Sequence, residues 1–251
     1  MAIEPKSKGD EDKLSSALQR LMEEDPTITM EKNTETRQTI LKTMGETHTD
    51  IIVERLKSKF GVDVGTTEMK IPYRETIRAM VQVEGKHKKQ TGGHGQYGHV
   101  WLKLEPLPDA EFAFEESVFG GAVPRNFFPA VEKGVREAMT EGVLAGYPVT
   151  NVKVTLYDGS YHPVDSSEMS FKLAAILAFR KGMEQAKPVL LEPIMNVEVL
   201  IPEQYLGDII GDLNSKRGRV LGMEPQGKNQ LVKAQVPLAE MARYSIDLKS
   251  I

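Results

Sequence analysis

The chain has no cysteine among its 251 residues. It can therefore hold no disulfide, no thiolate zinc site and no cysteine nucleophile, which suits a reducing compartment. It also lacks any apolar run near the roughly 20 residues needed to cross a bilayer, and its opening, Met1-Ala2-Ile3-Glu4-Pro5-Lys6, has no secretory apolar stretch. The expectation is a cytoplasmic protein with no membrane partner. An overall basic charge is missing too: 32 Lys and Arg face 36 Asp and Glu, a formal net charge of -4. That excludes a protein basic on all sides but not one with a single cationic patch. Hydrophobic residues at 40% and charged residues at 27% describe an ordinary globular chain, long enough for two or three domains.

What is present is a glycine-rich stretch, Gly92-Gly93-His94-Gly95-Gln96-Tyr97-Gly98-His99-Val100, directly after the basic run Lys86-His87-Lys88-Lys89. Gly93, Gly95 and Gly98 satisfy G-x-G-x-x-G, yet a dinucleotide fingerprint needs an apolar strand before it and a helix after it. Here a basic segment precedes, and Val100-Trp101-Leu102-Lys103-Leu104 follows with strand character. A kinase loop needs H-R-D and D-F-G downstream, and neither tripeptide occurs. The stretch reads as a glycine-rich hairpin with lysines, histidines and a tyrosine, suited to close approach to a phosphate backbone and to stacking on bases.

Three units of different pattern succeed one another. In residues 1–73, Leu14, Leu18, Leu21 and Met22 mark a helix closed by Pro26, and residues 27–30 and 37–44 read as strands around Lys32-Asn33-Thr34. A helix from Thr47, with Asp50 as capping-box partner, buries Ile52, Leu56 and Phe60 and stops at Gly61. With strands over residues 2–7 and 62–71, the order is the ferredoxin-like βαββαβ. In residues 74–193, Phe128, Val131, Val135 and Met139 mark one helix, and residues 149–156 alternate as a strand before a loop over 157–164. A long helix, capped by Asp165 with Glu168 three residues on, is expected to bury Met169, Leu173, Ile176, Leu177 and Phe179 and to run about 33 Å to Ala186. This unit is expected to be elongated, with a polar loop at the positive end of the helix dipole. Residues 194–251 repeat the first plan: a strand over 195–201, a helix from Pro202 with Leu206, Ile209, Ile210 and Leu213 on one face, and a hairpin over 220–236 turning at Gly227-Lys228-Asn229. A helix begins at Pro237, and the fourth strand is missing, which reads as a sequence cut inside a domain.

Leu144-Ala145-Gly146-Tyr147-Pro148-Val149, Asp158-Gly159-Ser160-Tyr161-His162, Val164-Asp165-Ser166-Ser167-Glu168 and Lys187-Pro188-Val189-Leu190-Leu191-Glu192-Pro193-Ile194-Met195 closely resemble translation elongation factor G. The resemblance runs from Glu4 to the C-terminus and implies that family's third and fourth domains and most of its fifth. The implied fold is α+β: two ferredoxin-like βαββαβ units, 1–73 and 194–251, flank a unit like domain 2 of ribosomal protein S5, 74–193, with tip loops at 90–98 and 157–164. The family's GTPase precedes this region. Neither G-x-x-x-x-G-K-[ST] nor N-K-x-D occurs here, and Asp208-Ile209-Ile210-Gly211, which fits D-x-x-G, lies in a helical pattern and reads as packing. GTP and Mg are thus implied only for that missing domain, with no cofactor, metal or catalytic residue in this chain. The implied partners are the ribosome, through ribosomal RNA and ribosomal proteins, and tRNA and mRNA, engaged by a monomer. The implied tRNA and rRNA contacts are Thr91, Gly92, Gly93, His94, Gly95, Gln96 and Tyr97 with Ser160, Tyr161 and His162, the last in the family's tip-histidine position. At position 94 many members are expected to carry Arg, and His is only fractionally protonated near neutrality.

Read by themselves, these residues leave alternatives open. Tyr97 and Tyr161 either stack on bases or pin their loops. Lys216, Arg217 and Arg219 either complement a helix C-terminus or touch ribosomal RNA. Ser160, His162 and Asp165 could build a small hydrolase, and His162 with His94 and His99 a metal site, although neither spacing is diagnostic. Within the family, a paralogue for ribosome recycling or a tetracycline-resistance ribosomal protection protein is the alternative. Outside it, the alternative is a stand-alone RNA-binding module.

Overall fold

Leu14, Leu18 and Leu21 fall on one face of α1 (Glu11–Glu24) and are buried against α2 (Glu46–Phe60) and a four-stranded antiparallel sheet. The computed structural model describes every residue except Lys8, Thr91, His94 and Arg243. It divides into two compact units, Met1–Pro72 with Glu192–Ile251, and Tyr73–Leu191. The first sheet comprises β1 (Ala2–Pro5), β2 (Thr29–Asn33), β3 (Gln38–Lys42) and β4 (Val64–Thr67) in the order β2-β3-β1-β4, which is the ferredoxin-like arrangement. The capping box expected at Thr47 and Asp50 does not form. The helix begins at Glu46, one residue earlier, after Gly45 and without a side-chain cap. Thr49 instead donates from Oγ1 to Gly45 O at 3.1 Å, inside the first turn.

Residues 73–191 hold a four-stranded sheet and a separate two-stranded ribbon. Here β5 (Arg74–Ile77) stands apart and pairs with β10 (Pro188–Leu191), so both chain ends of the unit are tied in one ribbon. β6 (Val81–Lys89) and β7 (Gln96–Pro106) form an antiparallel hairpin, β9 (Val152–Ser160) pairs antiparallel with β7, and β8 (Phe112–Glu116) pairs parallel with β9 at the edge, giving the order β6-β7-β9-β8. The helices α3 (Phe128–Glu141) and α4 (Glu168–Gln185) pack together, with α4 against β6 and β7.

Two expectations about α4 are corrected. Its cap is Ser167, paired reciprocally with Ser170, because the Asp165 carboxylate is engaged by Gly95 N at 3.0 Å. Its buried face is Ser170, Phe171, Ala174, Ala175, Ala178, Phe179, Gly182 and Met183, whereas Met169 and Leu177 are exposed and Leu173 and Ile176 half-buried. The reason is close approach. A Cβ on Gly98 would lie 2.2 Å from Ser170 O, and one on Gly85 2.2 Å from Ala174 O, so at these two crossings the helix backbone comes too close to the sheet for a large side chain. Met169 and Leu177 are turned to solvent, while Ile176 packs at the margin of the core.

In Glu192–Ile251, β11 (Ile194–Pro202), β12 (Arg219–Gln226) and β13 (Asn229–Pro237) form a sheet in the order β11-β13-β12. Its core is Val199, Ile201, Val232, Ala234 and Val236 with Ile209 and Leu213 of α5 (Leu206–Ser215), followed by α6 (Leu238–Met241) and α7 (Tyr244–Ser250). The hairpin turns at Gly227-Lys228, with Gln226 paired to Asn229. Among the described residues no helix is long and apolar enough to cross a membrane.

Candidate nucleic-acid interface

The basic run lies on β6 and the glycine stretch enters β7, so the hairpin closes over residues 90–95. Gly92 and Gly93 take φ of 54° and 97°, the left-handed region that glycine enters without strain. The assignments at Thr91 and His94 lie outside the described residues. The two loops are shorter than the ranges 90–98 and 157–164, because residues 96–98 and 157–160 lie within β7 and β9, where His99 is opposite Ser160 and Trp101 opposite Asp158.

Period-two alternation along β7 places Gly98, Val100, Leu102 and Leu104 toward α4 and the core, leaving Tyr97, His99 and Trp101 on the opposite face. Ser160 joins them from β9. Its Oγ lies 2.7 Å from Tyr97 OH and 2.7 Å from His99 Nδ1, while His99 Nε2 lies 2.8 Å from Glu84 Oε1. With the Nε2–H tautomer one assignment satisfies every group: Tyr97 O–H donates to Ser160 Oγ, Ser160 O–H to Nδ1, and Nε2–H to Glu84. The half-buried Ser160 hydroxyl is thus engaged by its neighbours, and Tyr97 is tied to β9 through it. His99 and Glu84 were legible in principle, since the same alternation puts His99 on the face of Tyr97.

A second set of bonds joins the loops. Asp165 accepts from Gly95 N at 3.0 Å through Oδ1, and its carbonyl accepts from Tyr97 N at 2.8 Å. Ser166 Oγ and Ser170 Oγ donate to Tyr97 O at 2.8 and 2.7 Å. The hairpin and the segment before α4 are therefore one bonded surface. Asp165→Ala is expected to leave the fold intact but to raise amide hydrogen exchange at Gly95 about tenfold, the loss of one charge-assisted bond of roughly 1.4 kcal/mol. Unchanged exchange would show that the carboxylate does not hold the hairpin.

His162 sits on this surface with its side chain about half exposed. Its Nδ1 accepts from Asp165 N at 3.1 Å and, more weakly, from Val164 N at 3.3 Å, with Asp165 Oδ2 3.5 Å away; the tautomer these amide contacts fit carries its hydrogen on Nε2. Asp165 lies beside His162, but the Ser160 hydroxyl is bonded to Tyr97 and His99 instead, so the Ser160, His162 and Asp165 hydrolase arrangement does not assemble. Tyr161 is 48% exposed. Lys88 and Lys89 are exposed, and Lys86 lies over the Tyr97 ring at 5.7 Å. The arrangement offers cations, an aromatic face and neutral donors, the groups that meet phosphates and bases.

Lys216 and Arg217 are committed elsewhere. Lys216 bridges Asp212 at 3.0 Å and Asp247 at 3.1 Å, and both partners hold its ammonium above the usual lysine range. Arg217, at φ 57°, grips Glu192 through both NH groups at 2.6 and 3.0 Å and Glu240 at 2.9 Å. Arg219 is exposed.

Comparison with known proteins agrees in every part of the chain. Models of elongation factor G match in series: domain III over residues 1–68, domain IV over 69–187 and the C-terminus over 189–251. An elongation factor G-like protein of Thermotoga maritima is 58% identical over the whole of this chain, which spans 37% of that relative's length. A crystal structure from Thermus thermophilus superposes with a TM-score of 0.84 at 49% identity, covering 97% of this chain and 36% of that one. With three successive domain models matched in order on a fold of the expected strand arrangement, the chain belongs to the elongation factor G family, as a part comprising its domains III and IV and its C-terminal region.

Proposed function

We propose that this chain is the ribosome-contacting part of a translocase that moves tRNA and mRNA through the ribosome. Residues 1–73, 74–193 and 194–251 act as three domains. The middle one places its bonded tip in the decoding-site path of the tRNA, and the flanking two transmit the rearrangement driven by GTP hydrolysis. The GTPase, with its GTP and Mg, belongs to a module outside these residues, and this chain makes and breaks no bond. It works in the cytoplasm as a monomer with ribosomal RNA, ribosomal proteins, tRNA and mRNA as partners.

The observation that carries this reading is the joining of two separate loops by Asp165, Tyr97, Ser166 and Ser170. A tip that blocks the return of a tRNA must keep its shape under load, and cross-bonded loops on a rigid sheet do so better than free ones. Lys88 and Lys89 supply sequence-independent attraction to phosphate.

Co-sedimentation with vacant ribosomes over a salt series tests the reading. Binding should be salt-sensitive and displaced by full-length elongation factor G. Replacing both Lys88 and Lys89 by Ala should make the negative slope of log affinity against log salt shallower by roughly 1.4 to 1.8 units. A folded chain that does not bind at low salt would overturn the proposal.

A further inference from the structure

The most exposed large apolar side chain among those of the described residues is Phe119, at 93%. It lies between β8 and α3, in a segment to which the resemblance assigned no contact. The segment is anchored at both ends: Ser117 N donates to Leu156 O at 2.8 Å, and Val123 is only 1% exposed. A Cβ on Gly159 would lie 2.6 Å from Val123 Cγ2, so the segment rests against the last residues of β9, beside Ser160 and the tip. Gly120 and Gly121 follow Phe119 at φ 65° and 72°, so the chain reverses there without strain and the ring stays in solvent.

Beside it lies an open cavity of about 270 Å³ whose lining includes Glu116, Gly120, Gly121 and Arg125. Arg125 is exposed and has no side-chain partner among the described residues, and Glu116 is likewise exposed and unpaired among them. A lone exposed phenylalanine needs no explanation. One held on a glycine turn, next to a free guanidinium and at the end of the sheet that carries the basic hairpin, is arranged as a nucleobase platform.

We propose that this segment is a third RNA contact at the tip, in which Phe119 stacks on an unpaired nucleobase. Arg125 faces that nucleotide's phosphate, and Glu116 accepts from a base amino group. The inference rests on the ribosomal reading above and names a contact which that reading does not require.

The test is binding of the full chain to purified small ribosomal subunits, with Phe119→Ala, Phe119→Leu, Phe119→Trp and Arg125→Ala. Phe119→Ala is expected to weaken binding about tenfold with no change in salt slope, since stacking neutralises no phosphate. Phe119→Trp should bind as the parent does, and Phe119→Leu should be as weak as Phe119→Ala. Arg125→Ala should weaken binding and make the slope shallower. Parent-like binding by Phe119→Ala would overturn the inference while leaving the Lys88 and Lys89 effect in place. Full rescue by Phe119→Leu would overturn it differently, marking an apolar protein contact rather than a base. If the unsubstituted chain fails to bind, the ribosomal reading fails and this contact with it. Both substituted positions are exposed, so an unchanged unfolding midpoint is expected for all four variants.

Discussion

Glu75→Ala is expected to destabilise the unit spanning residues 73–191 by about 3 kcal/mol, because a charged hydrogen-bonding group inside a protein leaves its partners unpaired when it is removed. Glu75 is fully buried, and its carboxylate accepts from Val143 N at 2.7 Å, Leu144 N at 2.8 Å, Ala145 N at 2.7 Å and Tyr147 N at 3.1 Å. Four amides of one loop converge on a single side chain, and a carboxylate, with two oxygens and no donor, has the acceptor capacity to satisfy them all. Burial alone would push this carboxyl up. The four amide bonds outweigh it and hold it below the usual carboxylate range.

The sign of the pH dependence follows. A carboxyl depressed in the folded state contributes its full stabilisation above the unfolded value, near pH 4, and loses it as the pH falls through the lower folded value. The gap between the parent and Glu75→Ala should therefore be constant around neutrality and narrow only in acid. Urea unfolding followed by Trp101 fluorescence reads it directly, since Trp101 is the single tryptophan and lies on β7 in this unit. A gap that is absent at neutral pH, or that widens in acid, would refute the assignment.

Gly98→Ala should cost about 3 kcal/mol, at the upper end of what overpacking usually costs. The added methyl would meet Ser170 O at 2.2 Å, Ser170 C at 2.4 Å and Phe171 N at 2.8 Å, all backbone atoms of the first turn of α4. No side chain can swing aside to relieve the clash, so the helix must move. That turn also carries the Ser167 cap and the Ser170 bond to Tyr97 O, and its displacement would loosen the tip as well as the core. Urea unfolding by Trp101 and amide exchange at Ser170 and Tyr97 should change together. Retention of both would show that α4 stands further from the sheet than the structure has it.

Much of the fold was legible because it rests on local periodicity. The leucines of α1, the alternation of β7 and the glycine turn between β12 and β13 each determine an element by themselves. Phase on α4 was not legible. Met169, Leu173 and Leu177 form as good an apolar stripe as Ser170, Ala174 and Ala178 form a small-residue one, and only the glycines facing the helix from β6 and β7 decide which is buried. The same held for the caps. Asp165 is a fair helix cap by residue type, and the reason it does not serve as one is Gly95, which lies 70 positions away in the chain.

The sequence by itself determined the family, the identity and order of most elements, and the cationic, glycine-rich character of the hairpin, since all of these depend on neighbours along the chain. Only the tertiary structure decided what the polar side chains do. It joined Ser160 to His99 and Tyr97, paired Lys216 and Arg217 with carboxylates and buried Glu75 under four amides, and it left the apolar Phe119 in solvent. A side chain's availability depends on partners brought close by folding from distant positions, and local pattern carries no record of those distances.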